Sequence, residues 1–171
     1  MQYYIKEKTI LRKWDSRDGS YCTTISKNGS AGTVPAAPRR RVMELKKGIK
    51  NSKELTVTEE QTAASAGSGG QPVFSTPHLV ALMETTAWAS VEPYMDEGCS
   101  TVGTHLDIAH LSASPVGAHI TAESELIEVD GRKLVFKVSA SDDAGLIGEG
   151  THERFIINID KFMARTEAKL K

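Results

Sequence analysis

The sequence predicts an α+β fold in which an antiparallel sheet wraps around one long central helix and a second helix closes the chain. Three features lead there. Residues 74–91 form one continuous, largely apolar stretch of helical length, one short alternating segment precedes it, and four segments of period-two alternation follow it with turn signals between them.

The long stretch begins Phe74-Ser75-Thr76-Pro77-His78-Leu79 and runs to Val91. Thr76 before Pro77 predicts the helix start, because a threonine hydroxyl caps an open backbone N–H and proline fits the first turn. From Leu79 onward the residues are apolar or small on every face except at Glu84, so this helix is expected to be enclosed by other structure.

Ahead of it, Leu55-Thr56-Val57-Thr58 alternates as a short first strand, and residues 59–66 make a helical turn. Gly67-Ser68-Gly69-Gly70 then breaks that turn and is expected to be a mobile lead-in. The glycines are followed by Gln71-Pro72 rather than by Lys and Ser or Thr, which excludes a nucleotide phosphate loop.

The helix is expected to end near Tyr94, and Asp96-Glu97-Gly98 turns into a strand over residues 101–111. There Leu106, Ile108 and His110 share one face and His105, Asp107 and Ala109 the other, which directs His110 toward the core. The next strand, residues 118–129, has Ile120, Ala122, Ser124 and Leu126 on one side. Asp130-Gly131 is a hairpin signal into an antiparallel strand over residues 134–141, and Asp142-Asp143-Ala144-Gly145 makes a second hairpin. The last strand, residues 146–159, carries Gly148 and Gly150, which permit a bulge or a close backbone approach. A helix capped by Asp160 ends the chain. One strand, one enclosed helix and four consecutive antiparallel strands is the hotdog order.

At 171 residues the chain fits one domain plus a tail. The net charge of −1 hides an asymmetry, since residues 1–42 hold 9 Lys and Arg against 3 acids and the remainder holds 12 against 19. An acidic body argues against nucleic acid as a partner. Residues 1–42 lack sustained periodicity and are expected to be a basic, disordered extension, with residues 43–171 as the folded domain. Arg39-Arg40-Arg41 allows an organelle-targeting or nucleic-acid-arm reading, and the change of texture at Met43 favours an extension from an early start codon. Cys22 and Cys99 suggest neither a disulfide framework nor a zinc site, and the longest apolar run is too short for a bilayer span. A cytoplasmic protein with no membrane association, no metal and no cofactor is expected.

Two residues stand out chemically. Glu84 has Val80, Ala81, Ala87 and Trp88 one turn away, so its carboxylate either reaches solvent, meets a structural base, or does chemistry. An inward His110 is, taken by itself, more often a hydrogen-bonded core histidine than a catalyst.

The residues of three blocks change that balance: Val73-Phe74-Ser75-Thr76 leading to Leu82-Met83-Glu84, then Val102-Gly103-Thr104 leading to His110, then Gly148-Glu149-Gly150-Thr151-His152-Glu153-Arg154. In order and spacing they resemble the fluoroacetyl-CoA-type thioesterase family over most of residues 43–171. The resemblance implies hydrolysis of an acyl-CoA thioester by a homodimer, with Thr76, Glu84 and His110 as catalytic residues and Gly103 and Arg154 contacting substrate. It also implies aromatic cover over the acyl pocket upstream of the threonine, where this chain has Gly67 and Gly70. A looser acyl site, open to broader short-chain or aromatic acyl groups, is therefore expected.

The chemistry suits the residue types. Thioester hydrolysis needs a nucleophile, a proton acceptor and donors for the oxyanion. His110 transfers protons near neutral pH, Glu84 can orient it, activate water or attack directly, and Thr76 can polarise the carbonyl or act as nucleophile. A backbone N–H at Gly103 or at the helix start can face the oxyanion. The bland readings are a cap for Thr76, a strand irregularity for Gly103, a cross-strand ion pair for Arg154, and structural or surface roles for His78 and His152. A non-catalytic acyl-CoA-binding hotdog protein is the rival reading, and a hotdog dehydratase lacks its His and Asp motif here. Thr76 and Glu84 are separated by about 12 Å of helical rise, so a second subunit supplying part of the site is expected.

Overall fold

The computed structural model describes residues 11–15, 20–24 and 44–170. The chain divides into two units, residues 1–40 and 41–171. In the first, β1 (Leu11–Asp15) pairs antiparallel with β2 (Ser20–Thr24), Leu11 opposite Thr24 and Asp15 opposite Ser20. Both strands lie within residues 1–42, the stretch expected from the sequence to be a disordered extension. The remainder of that stretch, including the targeting reading of Arg39-Arg40-Arg41, lies outside the described residues.

The second unit contains β3 (Lys50–Thr56), α1 (Thr76–Val91), β4 (Cys99–His110), β5 (His119–Asp130), β6 (Lys133–Asp142), β7 (Gly145–Asn158) and α2 (Ile159–Glu167). The strands β3 to β7 form one antiparallel sheet in the order β3-β5-β6-β7-β4. The hairpin signals hold: Asp130 pairs with Lys133 around Gly131 at φ +55, and Asp142 pairs with Gly145. The first strand begins earlier than its alternation suggests, at Lys50, because its polar residues lie along the sheet edge opposite residues 119–125 of β5.

α1 buries Leu79, Leu82, Met83, Thr86, Ala87, Ser90 and Val91. They pack chiefly on β5, β3 and β6, whose inward residues include Ile120, Ala122, Leu126, Leu134, Phe136 and Val138. Each such aliphatic or aromatic side chain contributes roughly 1.5–3 kcal/mol on leaving water. The helix is not enclosed all round: Ala81, Thr85 and Trp88, at i, i+4 and i+7, form an exposed stripe. β4 lies at the far edge of the sheet, where that packing thins out. Leu106, expected to point inward, is accordingly 40% exposed.

Helix starts differ from expectation by one or two residues. Ser75, not Thr76, caps α1 by accepting the His78 N–H at 3.3 Å, which leaves the Thr76 hydroxyl free of capping. Asn158, not Asp160, caps α2 through the Lys161 N–H. α1 ends at Val91 and a 3-10 turn, Glu92–Tyr94, carries the chain to its expected exit. The glycine-rich lead-in belongs to a loop whose base is bonded, with Ala63 N–H donating to Val73 O at 2.8 Å and Ala64 N–H to Gln71 O at 3.1 Å.

Gly148 and Gly150 have the close-approach role their positions suggest. A Cβ on Gly150 would land on the Asp107 carbonyl, and one on Gly148 would lie 2.9 Å from Leu79 Cδ2 and 3.0 Å from Ala109 O. These glycines let β4 lie tight on β7 and bring its end, His110, against the start of α1.

Candidate active site

α1 presents two groups of candidate side chains, one at its first turn and one at its middle. At the start, Thr76 Oγ1 and His110 Nδ1 are hydrogen-bonded at 2.8 Å. His110 stands opposite Gly148 in the β4–β7 ladder, which explains how an edge-strand histidine reaches the helix. It is half-buried rather than fully core-directed, and among the described residues its Nε2 has no hydrogen-bond partner. Next to the pair opens a cavity of about 290 Å³ lined by Ala63, Ser68, Val73, Phe74, Leu111 and Ala113. Gly70 does not restrict this loop, since a Cβ there would meet nothing within 4 Å.

Two turns on, Glu84 opens onto a second groove, of about 400 Å³, with Ala81, Thr85, Trp88, Val102 and Gly103. The ladder slips between Gly103 and His105, so Thr104 is the extra residue of a β-bulge there. A Cβ on Gly103 would lie 2.6 Å from Glu84 Oε1 and 3.1 Å from His152 Cε1, so only glycine lets this carboxylate rest against β4.

The base that Glu84 requires is Arg154, whose Nη1 lies 3.9 Å from Glu84 Oε1. Arg154 stands opposite Gly103 on β7 and is only 7% exposed. Its Nε donates to Thr101 Oγ1 and its Nη2 to the Thr101 carbonyl, both at 2.8 Å, while Nη1 meets His152 Nε2 at 3.1 Å. A guanidinium so committed meets the groove only at one edge. Burial lowers its pKa, and the Glu84 charge is the main influence opposing that shift.

The five residues singled out in the sequence therefore fall into two pairings within one chain: Thr76 with His110, and Glu84 with Gly103 and Arg154. No hydrogen bond or ion pair joins Glu84 to His110 among the described residues. His152, assigned a bland role from the sequence, is fully buried beside Glu84 and Arg154. The signal that could have found it is its spacing of two from Arg154, which puts both side chains on one face of β7. Thr101, which accepts two hydrogen bonds from one edge of the guanidinium, carried no signal at all.

A profile of the family described as fluoroacetyl-CoA-specific thioesterase matches residues 57–160. The chain belongs to this family. A curated fluoroacetyl-CoA thioesterase of Streptantibioticus cattleyicolor is 40% identical over 97 residues, covering 57% of this chain and 70% of that protein. A solved fluoroacetyl-CoA thioesterase superposes with a TM-score of 0.71 at 32% identity, covering 74% of this chain and 98% of that one. A Thermus thermophilus thioesterase superfamily member superposes with a TM-score of 0.68 at 25% identity, over 75% and 93% of the two chains. The hotdog architecture and the thioester hydrolase class of this family member follow from these likenesses together.

Proposed function

We propose that two copies of the chain pair edge to edge through β4, and that each of the two sites so formed hydrolyses an acyl-CoA thioester to the free acid and CoA. Thr76 and His110 come from one copy, and Glu84 and Gly103 from the other. The observation that carries this reading is the division of the candidate residues between the start and the middle of one helix, about two turns apart, with an open sheet edge alongside. β4 is exposed at every residue from Gly103 to Asp107, and a bare edge strand of this length invites a partner. A two-fold axis between Leu106 and Asp107 would set Gly103 of one copy across from His110 of the other, since antiparallel self-pairing is symmetric about its centre. The exposed stripe of Ala81, Thr85 and Trp88 would be covered in the same assembly.

In such a site the thioester carbonyl lies beside Gly103, and a backbone N–H there or at the start of α1 faces the oxyanion. The Glu84 carboxylate, 3.9 Å from Arg154 Nη1, takes a proton from water as the water oxygen attacks the carbonyl carbon. Collapse of the tetrahedral intermediate breaks the C–S bond, and the His110 imidazole, bonded to Thr76, supplies the proton to the departing sulfur. The alternative, direct attack by Glu84 to give an anhydride, would release thiol in a burst before free acid. No cofactor is needed beyond the CoA carried by the substrate. The acyl group occupies the cavity beside Thr76, which Ser68 lines from the loop that also carries Gly67 and Gly70, and a loop without bulky side chains at those two positions favours short-chain or aromatic acyl groups larger than fluoroacetyl.

A panel of acyl-CoAs assayed for thiol release tests the proposal. Turnover that disappears in Glu84→Gln and in His110→Ala supports it, and turnover unchanged in both removes the assignment. Binding of acyl-CoA with no turnover by the unsubstituted protein would point instead to a non-catalytic binding role.

A further inference from the structure

His152 lies against the proposed site, yet the mechanism above leaves it unused, and it is wholly buried on β7. Its Nδ1 is 3.0 Å from the His105 carbonyl oxygen, which only accepts, so Nδ1 carries the ring proton. Its Nε2 is 3.1 Å from Arg154 Nη1, which only donates, so Nε2 carries the lone pair. Both neighbours demand the same neutral tautomer. The groups facing the ring are the Glu84 carboxylate from α1, the Arg154 guanidinium on its own strand, the His105 carbonyl from β4 and the uncharged Phe136 ring of β6, 6.4 Å away. Burial is the main cause that pushes the His152 pKa down; the His105 carbonyl opposes it, Arg154 adds to it, and Glu84 opposes it. The 3.6 Å approach of Nε2 to Glu84 Oε1 is therefore a packing contact rather than an ion pair.

We infer that His152 is a positioning residue for the hydrolysis: as a neutral acceptor it holds the Arg154 guanidinium, and through it the Glu84 carboxylate, in the geometry the site uses. Thr101 fixes Nε and Nη2 of Arg154, while His152 accepts from Nη1, the nitrogen that faces Glu84 at 3.9 Å. Without an acceptor at that point, the buried Nη1–H turns to the nearest anion. The gap to Glu84 then closes into a hydrogen-bonded pair, and the carboxylate is drawn away from Gly103 and the groove. The inference rests on the proposed role of Glu84.

The test pairs two substitutions at His152 with one at Arg154. His152→Phe keeps a buried ring and removes both nitrogens, whereas His152→Gln places an amide oxygen near the position of Nε2. His152→Phe is expected to lower kcat about tenfold or more with KM little changed, the loss of one charge-assisted hydrogen bond. His152→Gln restores most of that loss, and in an Arg154→Met background His152→Phe costs nothing further. Equal losses in both backgrounds, or no loss in either, overturn the inference. A second readout does not need turnover. Imidazole ¹⁵N spectra of the full-length protein should show Nδ1 protonated and Nε2 bare at neutral pH, with the Nε2 resonance moving toward that of an unpaired nitrogen in Arg154→Met. A ring protonated at Nε2, or one that titrates near the ordinary histidine value with Arg154 present, overturns it. If the protein hydrolyses no acyl-CoA, the proposed function fails while these spectra still decide how His152 and Arg154 are coupled.

Discussion

The start and the middle of α1 carry different chemistry. At the first turn a hydroxyl and an imidazole share one hydrogen bond beside an open cavity, with the far ring nitrogen unpartnered among the described residues. Two turns later a carboxylate, a guanidinium and a neutral imidazole are packed so closely that the facing residue must be glycine. The first group pairs a hydroxyl with an imidazole, and the second sets a carboxylate against a guanidinium. In the proposed function neither group completes thioester cleavage by itself, and an assembly of two chains joins them.

Glu84→Gln breaks the charged group and is expected to have the largest effect, lowering kcat by about 10³ while leaving the fold intact; His110→Ala breaks the group at the helix start with a loss of about 10². If one of the two substitutions is silent in a thiol-release assay, the groups are not joint contributors. Gly103→Ala sharpens the comparison, because the added methyl displaces Glu84 Oε1 and leaves Thr76 and His110 untouched. Its expected cost is about tenfold in kcat, with secondary structure unchanged by circular dichroism. Gly70→Phe adds a ring to the loop whose Ser68 lines the cavity beside Thr76. It should narrow the acyl range, with kcat/KM for bulky acyl-CoAs falling several-fold and that for acetyl-CoA holding, a change of about 1 kcal/mol in transition-state binding.

The smallest effect concerns pH and stability. His152 is buried neutral with its pKa below the ordinary value of 6.5, so the unfolded chain binds more protons than the folded one in the interval between the two values. The stabilisation is fully present above 6.5 and is lost as pH falls toward the lower folded value. His152→Phe should therefore flatten the decline of Tm on acidification below that point, as followed by thermal melts.

Much of the fold was legible because local chemistry and tertiary packing agree. Ile120, Ala122, Ser124 and Leu126 read as one face of a strand and are all buried, and Asp130-Gly131 marks a hairpin that forms with Gly131 at positive φ. The misreadings arise where one sequence pattern has two physical outcomes. Ser75 and Thr76 are adjacent hydroxyl residues of similar capping strength, and only the backbone trace decides which accepts the N–H. Alternation in residues 101–111 shows which side chains share a face but not that the strand lies at the sheet edge, so Leu106 was assigned inward and is found largely exposed. Glu84 was recognisable as an unusual charge; its relation to Arg154 and His152 depends on register between β4 and β7, which a single sequence does not carry.

The most direct test of a site shared between chains is complementation. His110→Ala and Glu84→Gln proteins, each inactive as purified, are mixed under conditions of subunit exchange and assayed for acyl-CoA hydrolysis. In a shared site, one of the two sites in each mixed dimer regains both intact residues, so activity should rise to about a quarter of that of the unsubstituted protein at random mixing. Mixed dimers, verified by mass, that stay as inactive as either parent would contradict the account.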